Sequence, residues 1–72
     1  MYLEIDEGYL ITFNKMRIEK KDKEYRLTIN DVHSIKYKRK KECMALYKEI
    51  KIAVMKDIKI KDIKQRGELI YE

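Results

Sequence analysis

From Leu3 to Tyr37 the apolar residues recur at every second position, in short runs separated by polar turns, and this alternation constrains the fold most tightly. Spacing of two lines one face of an extended strand, whereas a helix requires spacings of three and four. Leu3 and Ile5 point one way against Tyr2 and Glu4, the pattern of a short edge strand. Asp6-Glu7-Gly8 then reads as a turn, with Gly8 able to adopt a positive φ. Tyr9, Ile11 and Phe13 form the next stripe, Asn14-Lys15 a tight connection, and Met16 and Ile18 alternate with Arg17 and Glu19. Lys20-Lys21-Asp22-Lys23-Glu24 is a solvated hairpin tip. Tyr25, Leu27 and Ile29 resume the alternation against Arg26 and Thr28, and Asn30-Asp31 breaks it. Ile35 and Tyr37 belong to a last strand running out in Lys38-Arg39-Lys40-Lys41. The expectation is an antiparallel meander of four or five short strands.

The period changes from Glu42 to about Lys56. Cys43, Leu46, Tyr47, Ile50, Ala53 and Val54 recur at spacings of three and four, with Lys48, Glu49, Lys51 and Lys56 off the stripe. Good helix formers fill the segment, although Ile50, Ile52 and Val54 also suit a strand and no side chain caps its start. We expect one amphipathic helix here. Ile58 and Ile60 then alternate with Lys59 and Lys61, Gln65-Arg66-Gly67 reads as a turn and Glu68–Tyr71 as a closing strand. The whole is an α+β fold, a meander followed by one helix and a C-terminal β-hairpin, in a single small domain spanning residues 1–72.

With 72 residues such a domain removes only about 60% of its unfolded surface from water, so its stability is marginal. The lone Cys43 excludes an internal disulfide, and Cys43 with the lone His33 cannot complete a structural zinc site. Self-association is one remaining means of support and idealised strand pairing with a well-packed helix the other; of the two, self-association leads, and a homodimer is expected. No apolar run approaches the length of a membrane span, and the N-terminal residues lack the order of a secretory signal. Together with the free thiol this points to a cytoplasmic protein.

Catalytic chemistry finds little purchase. Cys43 sits on the apolar stripe, where a thiol is core, and His33 reads as a turn or strand-edge residue. Glu4, Asp6 and Glu7 flank a turn and lack the spacing of a calcium loop, and no Gly-rich phosphate loop is present. The expectation is a non-enzyme without metal or cofactor.

Charge is more informative. Residues 1–14 carry three acidic and no basic side chains, residues 15–41 eleven basic and four acidic, and residues 42–72 seven basic and six acidic. The positive charge therefore gathers in the middle of the chain, and its candidate basic face is Lys20, Lys21, Lys23, Arg26, Lys36, Lys38, Arg39, Lys40 and Lys41. Tyr2, Tyr25 and Tyr71 are candidate aromatic contacts, because tyrosine tolerates a half-wet interface. Two partner classes match. One is a larger protein with an acidic surface, bound by a small regulator or inhibitor. The alternative is nucleic acid held by its phosphates. There are 14 Lys to 4 Arg, whereas phosphate and base readers favour the arginine fork, so the protein partner leads.

Overall fold

The computed structural model describes residues 1–63 and the backbone of residues 67–71. Its class is α+β. Two antiparallel sheets and one helix follow the order β1 (Tyr2–Asp6), β2 (Tyr9–Thr12), β3 (Met16–Lys21), β4 (Glu24–Ile29), β5 (His33–Tyr37), α1 (Lys40–Lys56) and β6 (Glu68–Tyr71). β1 and β2 form a two-stranded hairpin, and the larger sheet has the order β3-β4-β5-β6.

The alternation places the core as expected. Leu27 and Ile29 of β4, Ile35 and Tyr37 of β5, and Leu3 and Ile5 of β1 are buried. They meet Cys43, Leu46, Ile50 and Ala53, the inward stripe of α1. The opposite face of the larger sheet is polar, and its register sets Arg17, Thr28 and Ser34 in one row and Glu19, Arg26 and Lys36 in the next. Thr28 and Ser34 are nevertheless buried there, their hydroxyls 3.0 Å apart in a hydrogen bond that satisfies both.

Turn chemistry closes the hairpins. Gly8 takes a φ of 75° between β1 and β2, a region that glycine enters without strain. Asn30 and Asp31 both have left-handed φ, 56° and 59°, and the Val32 amide donates to the Ile29 carbonyl at 3.1 Å. Two left-handed residues in succession give the hand of turn that matches strand twist.

Asn30 also joins the two sheets. Its Oδ1 accepts the amides of Asn14 (2.8 Å) and Lys15 (3.2 Å), and its Nδ2 donates to the Thr12 carbonyl at 2.7 Å. The stretch between β2 and β3 is therefore held to the β4–β5 turn, and it crosses between sheets where the sequence had suggested a tight turn within one meander. Asn30→Ala is expected to cost about 2–3 kcal/mol in urea unfolding, from three lost hydrogen bonds and a left-handed backbone alanine disfavours. Asn30→Gly, which keeps the backbone, should recover only part of that loss.

Four expectations are corrected. The C-terminal hairpin is not found among the described residues: Ile60 bridges Leu3 in parallel and β6 pairs with β5, while Gln65 and Arg66 of the expected turn lie outside the described residues. Ile58 is exposed, so the alternation of residues 58–61 has only Ile60 to bury. Val54 faces solvent rather than the apolar stripe, because the helix turns it past the sheet. Tyr9 is exposed as well, since the two-stranded hairpin buries only its β1 side and leaves β2 outside.

The helix begins at Lys40, two residues earlier than its apolar stripe implies. Arg39 occupies the N-cap with extended backbone and no side-chain cap bond, and Cys43 N–H makes a first helical bond of 3.3 Å to the Arg39 carbonyl. At the other end Asp57 is left-handed, and the Ile58 amide reaches back to Ala53 O at 2.9 Å in a Schellman closure. No described helix is long and apolar enough to cross a membrane.

Candidate partner-binding surface

Two separate basic runs meet at one end of the larger sheet. The register sets Lys20 opposite Tyr25 and Tyr25 opposite Tyr37, one row across three strands. At the spacing of neighbouring strands, the Lys20 and Tyr37 backbones lie about 10 Å apart. The β3–β4 tip therefore delivers Lys20, Lys21 and Lys23 beside Lys38, Arg39, Lys40 and Lys41, which follow Tyr37 into the helix. All seven are exposed, and none lies within ion-pair distance of a described carboxylate. The start of α1 belongs to the same end, so its unbonded amides and the positive end of its dipole add to the field.

The other two candidate cations belong elsewhere. Lys36 reaches Glu24 Oε1 at 3.2 Å and Arg26 lies 3.9 Å from Glu24 Oε2, on the polar face of the sheet. They form part of a charge ladder that locks that face and are withdrawn from the basic pole. The tyrosines divide too. Tyr25 is half-buried at the pole, with Lys20 Nζ 5.8 Å above its ring. Tyr2 is exposed on β1, in the other sheet. The Tyr71 side chain lies outside the described residues; its backbone stands opposite His33, at the end of β5 remote from Tyr37.

The acidic turn lies at that remote end. Tyr9, next to the turn, meets the His33 ring edge-on at 5.9 Å. The remote end is largely self-neutralised, because Lys15 and Arg17 both bind Asp31. The Lys15 hydrogen bond is the main cause holding the Asp31 carboxyl below its ordinary value of 3.8, and the Arg17 charge adds to it. A lowered carboxyl pKa stabilises the fold fully above that ordinary value and loses its effect as pH falls through the folded one. Urea unfolding should therefore show Asp31→Asn less stable than wild type at about pH 7, and the difference should shrink as pH falls below the ordinary carboxyl value of 3.8. Asparagine retains the left-handed turn, so the comparison isolates the charge.

An apolar margin continues the pole along the helix. Lys40, Lys41 and Lys48 surround Met44 and Ala45 in a shallow depression on the solvent side of α1. Nothing in the sequence stripe marked Met44, which lies between the buried and fully exposed positions. Cys43, one residue earlier, turns inward, and burial pushes its thiol pKa up, away from nucleophilic use. Among the described residues no three His, Cys, Asp or Glu side chains gather to hold a metal ion.

No protein-family model, curated protein or solved structure matches this chain.

Proposed function

We propose that the protein is a small non-catalytic binding module, a regulator or inhibitor that docks its basic pole on an acidic surface of a larger protein. The observation carrying this reading is the meeting of seven cations, none with an ion pair among the described residues, from two remote runs, bordered by Met44 and Ala45. Packed like charges raise the free energy of the folded chain, and an anionic partner relieves that repulsion. Apolar atoms set among lysines fit a protein surface, where a buried apolar contact supplies energy that salt does not screen. An intracellular setting suits the reduced thiol of Cys43.

Nucleic acid is the second reading, and the same cations favour it. Against it, only one of the seven is arginine, Tyr37 is buried, and the Tyr25 ring is already covered by Lys20. Little aromatic surface is left at the pole for base stacking.

The test is a salt titration with three probes: an acidic amphipathic peptide of glutamate and leucine, a mixed-sequence DNA duplex and a single-stranded RNA. At about 0.15 M salt the peptide should bind more tightly than either nucleic acid. Met44→Gln should weaken the peptide alone. Tighter binding of DNA or RNA, indifferent to Met44→Gln, would establish the second reading.

A further inference from the structure

We propose that two copies of the protein pair antiparallel through β3 about a two-fold axis at Ile18, making one continuous sheet. β3 ends the strand order β3-β4-β5-β6, so its outer edge has no neighbouring strand among the described residues. The bond from the Asn30 amide to the Lys15 carbonyl fixes which backbone groups face out. Lys15, Arg17, Glu19 and Lys21 turn theirs toward β4, and by alternation Met16, Ile18 and Lys20 turn theirs away. Side chains add to this. Met16 and Ile18 pack against the core yet remain half-exposed, because no strand lies beyond them.

The charge pattern selects the partner and the register. In an antiparallel two-fold pair, outward-turned residues must face outward-turned residues, which leaves three central registers. Centring on Arg17 sets Arg17 against Arg17 on the axis, with Lys15, already held by Asp31, against Glu19 on either side. Centring on Glu19 sets Glu19 against Glu19 and Arg17 against Lys21. Centring on Ile18 sets Arg17 against Glu19 of the second copy twice, with Ile18 against Ile18 between them. Only this register pairs opposite charges at the strand centre. It also sets Lys21 near Lys15 at each end, where Asp31 already holds Lys15. Charged side chains on an edge strand normally deter pairing. Here their order deters the two out-of-register pairs and admits the third. In the monomer Arg17 turns instead to Glu19 of its own strand, 2.7 Å from Nε to Oε1, so the dimer exchanges this contact for its equivalent across the axis.

The dimer shares Lys20 and Lys21 of β3 with the basic pole, but its deciding contacts, Arg17 with Glu19, lie outside the pole, so variants at those two residues test it separately from the docking reading. Sedimentation equilibrium should show a wild-type dimer. Glu19→Arg sets arginine against Arg17, and Arg17→Glu sets glutamate against Glu19, so each variant alone should dimerise at least about ten-fold more weakly. An equimolar mixture of the two restores opposite charges at both contacts, and the dimer should return as a heterodimer. Circular dichroism checks that each variant is folded. Ile18→Lys, which sets two ammonium groups together on the axis, should also give a monomer and serves if either charge variant unfolds. A monomeric wild type, variants that dimerise like wild type, or a mixture that stays monomeric would each overturn the proposal.

Discussion

Ile35→Ala is expected to lower the unfolding free energy by about 3 kcal/mol, read as a fall in the urea midpoint at unchanged slope. Ile35 is fully buried at the centre of β5, with β4 on one side and β6 on the other. It belongs to the core cluster that joins the β4 and β5 residues Leu27, Ile29 and Tyr37 to Cys43, Leu46 and Ile50 of the helix. The chain between residue 67 and Ile35 is already close, because a Cβ on Gly67 would come within 2.6 Å of Ile35 Cγ2 and 2.9 Å of the Tyr37 ring. Glycine at 67 lets the backbone lie directly on these two side chains. Removing three carbons from Ile35 opens a void that the paired strands cannot close, and so the cavity cost adds to the transfer cost. At about 0.05–0.15 kcal/mol per residue, a domain this size has little to lose, and a substantial fraction of the variant should be unfolded at 37 °C.

The second large effect has the opposite sign for stability and for binding. Arg39→Asp with Lys40→Glu should stabilise the fold by about 1–2 kcal/mol and weaken the acidic peptide by at least about a hundred-fold. Arg39 sits at an N-cap with no cap bond, and Lys40 and Lys41 open the helix, where the dipole disfavours cations. An aspartate at the cap accepts an unbonded amide, and a glutamate in the first turn meets the positive end of the dipole. These residues are therefore poor choices for the helix and good ones for an anionic partner. Thermal unfolding and peptide titration on the same sample check both halves. A variant that loses stability and retains binding would show the pole to be structural.

The core was legible because burial obeys a period. Leu27, Ile29, Ile35 and Tyr37 follow spacing two, and Cys43, Leu46 and Ile50 follow the helical stripe, so each pattern marks its own buried face. Where a segment pairs with something remote, the period stops being a guide. Ile58 and Ile60 alternate like a strand, yet among the described residues their pairing is the single bridge from Ile60 to Leu3. Asn30 was readable as a break in the chain, but its three hydrogen bonds run to residues more than a dozen positions away. The same limit applies to the surface. The density of charge from Lys15 to Lys41 was plain, but register alone divides it. It sends Lys20, Lys21 and Lys23 to the Lys38–Lys41 end, and folds Arg26 and Lys36 into ion pairs with Glu24. Lys40 and Lys41 had looked like the end of a strand, because basic residues are uncommon where a helix begins.

The most direct measurement is an NMR titration of ¹⁵N-labelled protein with the glutamate–leucine peptide at about 0.15 M salt. The amides of Lys20–Glu24 and of Lys38–Ala45 should shift together, with one dissociation constant, while those of Asp6–Leu10 and Asn30 stay still. Shifts confined to one run, or centred on Arg26 and Lys36, would contradict a single basic pole built from both.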